Sequence, residues 1–247
     1  MERFSRVIRL VGEENFEKLK DKKVTIIGIG AVGSYALEGL VRSGVGNIRI
    51  VDYDKVSVSN INRQLIALGS TIGKPKVIVA KERILDINPD CNVEIFERFV
   101  HDDTLNEILD NNPDMVVDAI DSLSAKVALI TFLHKKKINF ISSMGAALKK
   151  DPSKIKVGNL FESTGCHLAR VVKKRLRRNS IFDGVISVYS NEVVNYNFIE
   201  SDEIIDGYER GRNRRIMGSL PTITGIFGLT IANYVIQNFL NKLSPQT

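Results

Sequence analysis

The sequence predicts an α/β fold: a Rossmann-like, doubly wound, mostly parallel sheet followed by a β-rich C-terminal extension. Short runs rich in Val and Ile alternate with longer segments of helical periodicity, which is typical of βαβ units. A glycine-rich turn at residues 28–33 directly follows the first apolar run, as in folds that bind nucleotide phosphates. After Gly145 this alternation gives way to a polar stretch with short apolar runs, which indicates a different C-terminal part.

The elements of the first part are expected in strict alternation. Each apolar run is short and rich in β-branched residues, as in strands that are buried on both faces. Pro75 marks the start of one helix, and Asn88-Pro89 marks its end. We predict strands at 24–30, 48–54, 93–99, 115–120 and 138–142. We predict helices at 32–42, 76–87, 104–109 and 124–136.

The rest of the chain is expected to belong to the same domain, 1–247. We predict a nucleotide-binding core at 1–145 and a substrate and dimer lobe at 146–247, with extra strands between 151 and 219. A helix is expected near 166–177, and a mobile basic loop near 201–215. Polar residues, a proline and glycines interrupt the apolar segment 220–240, so a buried or dimer-forming helix is favoured over a membrane span.

Composition narrows the class of protein. The 247 residues are 43% hydrophobic and 26% charged, which suits one soluble domain with an ample core. The net charge of +6 favours an anionic partner such as a nucleotide or RNA. The two cysteines, Cys91 and Cys166, form no C-x-x-C motif, so a tetrathiolate zinc site is excluded and a disulfide framework is not expected. The charged residues 1–6 indicate no signal peptide, so we expect a cytoplasmic protein.

The glycine-rich turn has the G-x-G-x-x-G spacing, formed by Gly28, Gly30 and Gly33. Such glycines permit a tight turn, a close approach of backbone to phosphate, and close packing of helix on strand. Asp52 ends the second predicted strand about 20 residues after the turn, the spacing of a carboxylate that binds a ribose. The alternative for the glycines is a tight turn without a ligand, and the alternative for Asp52 is a strand-end carboxylate that caps the next turn. Asp54 is interpreted as a turn residue or helix-cap partner.

Cations near the turn distinguish a site that cleaves ATP from one that binds a redox dinucleotide. Arg63, in the predicted loop that also contains Asn60 and Gln64, can bind a phosphate through two hydrogen bonds. Lys76 lies at a predicted helix start, where a cation opposes the helix dipole, so another anion should lie beside it.

Two carboxylates, Asp118 and Asp121, lie where the fourth predicted strand ends, at the edge where open α/β sheets bind ligands. Mg²⁺ takes one or two protein carboxylates together with substrate phosphates. Asp121 is the better metal candidate, while Asp118 has an equally good alternative role in orienting the loop backbone.

Motifs in the first 145 residues resemble the ubiquitin-activating-enzyme-like superfamily, which includes the adenylating enzymes of molybdopterin and thiamine synthesis. The matching stretches lie at 3–6, 28–33, 51–54, 59–64, 73–76, 87–89 and 118–121. Within that group the chain resembles the tRNA threonylcarbamoyladenosine dehydratases over nearly its whole length. The additional matching stretches lie at 9–12, 87–91, 117–122, 151–157 and 218–228.

This resemblance implies that ATP activates the carboxyl group of threonylcarbamoyladenosine in tRNA, and that ring closure with loss of water gives a cyclic hydantoin. It assigns the phosphate turn to Gly28, Gly30, Ala31 and Gly33, the ribose to Asp52, the polyphosphate to Arg63 and Lys76, the support of that loop to Asn60 and Gln64, and Mg²⁺ to Asp121. Arg63, Lys76 and Asp121 are thus the expected catalytic residues.

The resemblance also implies a homodimer. In some relatives an arginine reaches across the dimer, and the sequence leaves open whether Arg6 or Arg9 does so here. A sulfur-transfer protein is a further candidate partner, and a monovalent cation is a further candidate cofactor.

Two basic clusters are candidate contacts to the tRNA backbone, and a solvated protein face is the alternative interpretation. Their residues are Lys173, Lys174, Arg175, Arg177 and Arg178 in the first cluster, and Arg212, Arg214 and Arg215 in the second.

Two other classes of function stay open. One is the activation of a ubiquitin-like or sulfur-carrier protein, although the zinc cysteines of many such relatives are absent here. The other is a nicotinamide oxidoreductase or an RNA-binding module, against which the pattern of Arg63, Lys76 and Asp121 argues. Cys166 precedes His167, but neighbouring side chains diverge, so this pair does not indicate an activated thiol.

Overall fold

The computed structural model describes residues 2–194 and 217–240. Its strands are, in chain order, β1 (Lys23–Ile27), β2 (Asn47–Val51), β3 (Asn92–Phe96), β4 (Met115–Asp118), β5 (Phe140–Ser143), β6 (Ile155–Asn159) and β7 (Ile186–Ser190). They form one seven-stranded sheet in the order β3-β2-β1-β4-β5-β7-β6, in which only the β6–β7 pair is antiparallel. The predicted Rossmann-like, mostly parallel sheet is therefore confirmed.

Helices cover both faces of this sheet. They are α1 (Ser5–Val11), α2 (Glu13–Asp21), α3 (Gly33–Arg42), α4 (Lys76–Ile87), α5 (Leu105–Ile108), α6 (Leu123–Lys136), α7 (His167–Arg178) and α8 (Pro221–Leu240). Buried side chains of α3, α4 and α8 share one apolar cluster, and those of α5, α6 and α7 share another. The domain thus has three layers, with the sheet between two helical layers.

The structure shortens several predicted elements and adds two. The first predicted strand ends at Ile27 because the glycines after it form the turn, and β3 ends at Phe96 rather than at residue 99. The helix predicted near 166–177 is α7. Helices α1 and α2 were not predicted from the sequence.

The described part of the C-terminal extension contributes β6, α7, β7 and α8, so its two strands join the same sheet as the core. The basic loop expected near 201–215 lies outside the described residues. The division into a nucleotide-binding core and a substrate lobe stays a prediction.

Helix α8 packs closely on α3. A Cβ on Gly39 would lie 2.7 Å from the Ala232 Cβ, and a Cβ on Gly228 would lie 2.4 Å from the Val32 carbonyl oxygen. Among the described helices, α8 alone is long and apolar enough to cross a membrane, but its apolar residues Phe227 and Ile231 are fully buried in the protein. This packing is that of a core helix.

Candidate active site

The glycine turn connects β1 to α3. Gly28 has a φ of +91° and donates its N–H to the Val51 carbonyl oxygen at 2.8 Å. A Cβ on Gly28 would lie 2.8 Å from the Ala119 carbonyl oxygen, and one on Gly33 would lie 1.8 Å from the Gly28 carbonyl oxygen. A Cβ on Gly30, in contrast, would meet no atom within 4 Å. Two glycines therefore shape the turn, and the third leaves open space at the N-terminal end of α3, where a phosphate can approach.

Asp52 lies beside this turn and is 8% exposed. Its Oδ2 accepts a hydrogen bond from the Ile29 N–H at 2.6 Å, and its Oδ1 accepts one from the Asp54 N–H at 2.8 Å. Burial raises the pKa of Asp52, while nearby Lys76 and the N–H donors of Asp54 and Ile29 oppose that increase. A carboxylate has about four acceptor positions, so Asp52 can still accept hydrogen bonds from ribose hydroxyls.

Lys76 is the first residue of α4 and is 4% exposed. Its Nζ lies 2.8 Å from Asp54 Oδ2, and its N–H donates to the Asp54 carbonyl oxygen at 3.0 Å. The anion expected beside this lysine is therefore, in part, Asp54 of the same chain. The sequence alone indicates only a turn residue or helix cap at Asp54, and the ion pair becomes visible only in the structure.

The loop of residues 60–65 is tied to the start of α3, because the Leu65 N–H donates to Ser34 Oγ at 3.1 Å. Asn60 is buried, and its Oδ1 accepts from the Ser57 N–H at 3.1 Å. Arg63 donates through NH1 to the Ser59 carbonyl oxygen at 2.8 Å. Gln64 is buried, and its Oε1 has no hydrogen-bond partner within the described ranges 2–194 and 217–240. A buried oxygen without a donor suits a site that a ligand completes.

The carboxylates of Asp118, which ends β4, and of Asp121, which follows it, have different environments. Asp118 is fully buried, and it accepts from Lys126 Nζ at 2.7 Å and from the Ile120 N–H at 3.1 Å. Of its two roles, orienting the loop is thus the one that the geometry supports. Asp121 is exposed in the same loop. Since the part of the chain that the structure describes holds no cluster of three or more metal-ligating side chains, a metal at Asp121 would depend on phosphate oxygens for its other ligands.

The predicted basic face lies on α7. Lys174, Arg177 and Arg178 are exposed. Lys173 donates to the Ser163 carbonyl oxygen at 2.7 Å, and Arg175 donates to Ser124 Oγ at 3.2 Å, so these two side chains partly serve the protein itself. The second cluster, Arg212, Arg214 and Arg215, lies outside the described residues.

Sequence reasoning missed Arg170, which is exposed on α7 four residues before Lys174. The helical spacing of these two residues was the signal that could have identified it, because residues four apart share one face of a helix.

Both cysteines are free and buried. Cys91 is buried, and its burial raises the pKa of the thiol to about 11. Cys166 precedes α7, and its Sγ accepts from the Ala169 N–H at 3.4 Å. The raised pKa of Cys91 is the opposite of what an activated thiolate nucleophile requires.

We therefore expect a Cys91→Ser, Cys166→Ser double variant to keep its catalytic turnover. A small loss of thermal stability is compatible with this expectation, because Cys91 is buried in an apolar cluster. Steady-state assays of the double variant and of each single variant provide the check. Loss of product with intact ATP binding would instead indicate a covalent thioester intermediate.

The fold and the site define a nucleotide-binding α/β enzyme of the adenylating type, and the ThiF family model matches residues 4–247. The chain belongs to the ThiF family. It is 36% identical over 245 residues to the tRNA threonylcarbamoyladenosine dehydratase of Bacillus subtilis, covering 98% of this chain and 96% of the relative.

The chain is also 33% identical over 259 residues to the Escherichia coli enzyme of the same name, and this match covers 99% of this chain and 96% of that enzyme. The crystal structure of the E. coli enzyme in complex with ATP matches with a TM-score of 0.87 at 32% identity, covering 100% of this chain and 97% of that chain. The Salmonella typhimurium molybdopterin-synthase adenylyltransferase is 32% identical over 169 residues, covering 68% of this chain and 66% of that protein. The resemblance found in the sequence is confirmed.

Proposed function

We infer that the protein is an ATP-dependent tRNA threonylcarbamoyladenosine dehydratase. The carboxylate of the modified nucleoside attacks the α-phosphorus of ATP and releases pyrophosphate, which leaves an acyl adenylate. A nitrogen within the same nucleoside then attacks the acyl carbon, loses its proton and displaces AMP, so the net change is cyclisation with loss of water. The observation that carries this inference is the open space at Gly30 beside Asp52, in a chain similar over its full length to relatives of that name.

The site residues have these proposed roles. The turn of Gly28, Gly30, Ala31 and Gly33 cradles phosphate, and Asp52 accepts from the ribose hydroxyls. Arg63 and Lys76 stabilise the negative charge that develops on the leaving pyrophosphate, which is where preorganised cations are most effective. Asn60 and Gln64 support the loop that carries Arg63.

Asp121 is the residue that would hold Mg²⁺, which when bound neutralises charge on the polyphosphate. The exposed carboxylate and its place in the loop against the glycine turn fit such an ion. A monovalent cation is a further candidate activator, which replacing K⁺ by Na⁺ or Li⁺ in the assay will test.

The direct test of the proposed reaction is the release of AMP and pyrophosphate with purified tRNA. We expect release with tRNA that carries threonylcarbamoyladenosine and none with the same tRNA lacking that modification. AMP formation that ignores the modification would contradict the proposed substrate.

Nucleotide choice provides a second test. We expect ATP with Mg²⁺ to bind and NAD not to bind, because Lys76 and the predicted position of Arg63 suit a polyphosphate. Isothermal titration calorimetry with each ligand distinguishes them. Tight NAD binding without ATP binding would contradict the proposed function and support a nicotinamide oxidoreductase.

The exposed basic residues of α7 are proposed to contact the tRNA backbone. If they do, a Lys174→Ala, Arg178→Ala variant should reduce the slope of log affinity against log salt by about 1–2 units, because each phosphate contact releases counterions. A matched control is Lys18→Ala, Lys20→Ala on α2, which removes the same charge from exposed pairs with Glu14 and Glu17. An unchanged slope in the α7 variant would support a solvated face.

We propose a homodimer whose interface includes the exposed apolar side chains that follow strand β2. Val58 is 67% exposed and Leu68 is 53% exposed, and Ile61 and Ile72 are also exposed in the same segment. Covering such side chains is a common role of subunit interfaces. Arg6 and Arg9 are the candidates for reaching a partner's site. Sedimentation of the wild type and of a Val58→Asp variant will test the dimer.

The site of action is proposed to be the cytoplasm, where tRNA is modified, and a sulfur-transfer protein is a further candidate partner. Co-purification with such a protein at defined stoichiometry would support that partner.

The second candidate function is activation of a ubiquitin-like or sulfur-carrier protein. Similarity to the S. typhimurium adenylyltransferase favours it over other adenylation reactions, although that similarity covers only 68% of the chain. Transfer of AMP to the C-terminal glycine of such a carrier, in the absence of tRNA, would support it.

A further inference from the structure

A fully buried polar network lies beneath the loop that follows β4. It consists of Asp118 at the end of β4, Lys126 on α6 and Ser142 on β5, all three with no exposed surface. Lys126 Nζ lies 2.7 Å from Asp118 Oδ2 and 3.2 Å from Ser142 Oγ, and Ser142 Oγ donates to Asp118 Oδ2 at 2.6 Å. These contacts join a helix and two neighbouring strands at the ligand-binding edge of the sheet.

Burial prevents these side chains from touching a ligand directly. A buried ion pair is also weak support for stability alone, since well-packed apolar residues of similar volume often stabilise a protein as well or better. The network therefore calls for another role. Its outward connection is through Asp118 Oδ1, which accepts a hydrogen bond from the Ile120 N–H at 3.1 Å.

Ile120 lies between two residues of the candidate site. On one side, Ala119 is fixed independently, because its N–H donates to the Ile27 carbonyl oxygen at 2.9 Å and its backbone packs on Gly28. On the other side is Asp121, the proposed metal residue. The Asp118 contact consequently governs the path of the backbone where it leaves the sheet and presents the carboxylate of Asp121.

We propose that Asp118 is a positioning residue, held in place by Lys126 and Ser142, that orients Asp121 toward Mg²⁺ and the polyphosphate. This proposal rests on the proposed function, through the role given there to Asp121. Groups that orient metal-binding residues typically change metal affinity or activity by about 10–100-fold when they are removed. The nucleoside end of the site should not depend on Asp118.

Two double variants separate orientation from stability. Asp118→Asn with Lys126→Met removes the charge pair but keeps an oxygen acceptor for the Ile120 N–H. Asp118→Leu with Lys126→Met removes the charge pair and the acceptor, and it keeps the branching and the number of side-chain heavy atoms at position 118. Binding of MgATP and of AMP is measured by calorimetry, and thermal unfolding of each variant is recorded.

We expect the Asn variant to bind MgATP within about threefold of the wild type, and the Leu variant to bind it at least about tenfold more weakly. AMP affinity should be unchanged in both variants. Wild-type MgATP affinity in the Leu variant, or a parallel loss of AMP and MgATP affinity, would overturn the proposal.

Ser142→Ala provides the measurement if the Leu variant does not fold. It keeps the ion pair and removes one donor to Asp118. We therefore expect that a higher Mg²⁺ concentration is needed for half-saturation of ATP binding, while the AMP affinity is unchanged. An unchanged Mg²⁺ requirement would overturn the proposal. Failure of the wild type to bind MgATP would instead refute the proposed function.

Discussion

Lys76→Ala is expected to reduce the turnover rate about 30- to 900-fold, which corresponds to a loss of about 2–4 kcal/mol of transition-state stabilisation. Lys76 is almost fully buried next to Asp52 and Asp54, so its charge acts where water screens it little. The negative charge on the leaving pyrophosphate grows during the reaction, and a fixed cation stabilises that charge most at the transition state. Single-turnover measurement of AMP formation gives the effect directly.

Two further variants separate catalysis from folding. Lys74→Ala removes an exposed lysine two residues away and should leave the rate unchanged. Arg63→Ala should lose a similar factor in rate with little change in thermal stability, because the side chain lies in a loop and contributes little to the core. Wild-type rates in both Arg63→Ala and Lys76→Ala would show that the phosphates lie elsewhere.

Gly30→Ala is expected to abolish most ATP binding without unfolding the protein. The added Cβ would occupy open space in the free protein, so the fold has no reason to change. That same space is where the proposed phosphate approaches the backbone, so ATP affinity should fall by at least about tenfold, or about 1.4 kcal/mol. Calorimetry and thermal unfolding of the same preparation report both quantities.

Gly33→Ala is the matched comparison, with the opposite pattern. Its Cβ would lie 1.8 Å from the Gly28 carbonyl oxygen, and backbone must move to relieve that contact. Overpacking of this kind typically costs about 1–3 kcal/mol, so we expect a lower melting temperature as well as weaker ATP binding. Normal ATP affinity in Gly30→Ala would indicate a tight turn without a ligand.

Local patterns were sufficient for most of the sheet and for the glycine turn. Strands such as β2, which contains Ile48, Ile50 and Val51, are short runs rich in Val and Ile, and the glycine spacing lies directly between such a strand and a helix. Helix α1 was missed because it is only seven residues long, which is too short a window for helical periodicity to be recognised.

Contacts between distant residues explain what the sequence did not reveal about the site. An isolated bridge between Lys55 and Pro75 brings Asp54 to Lys76, and no local pattern encodes that pairing. Similarly, the fully buried Lys126 lies on a helix whose sequence does not mark it as a partner of Asp118. The choice between metal ligand and loop support for Asp118 therefore had to wait for the tertiary structure.

Nucleoside analysis of the reaction product tests the central claim most directly. The protein is incubated with ATP, Mg²⁺ and tRNA that carries threonylcarbamoyladenosine, the tRNA is digested under mild conditions that preserve the hydantoin, and the nucleosides are analysed by mass. The account predicts a nucleoside lighter by one water, formed only with ATP and strongly reduced in Lys76→Ala. Recovery of the unchanged nucleoside, in a preparation that binds ATP, would contradict it.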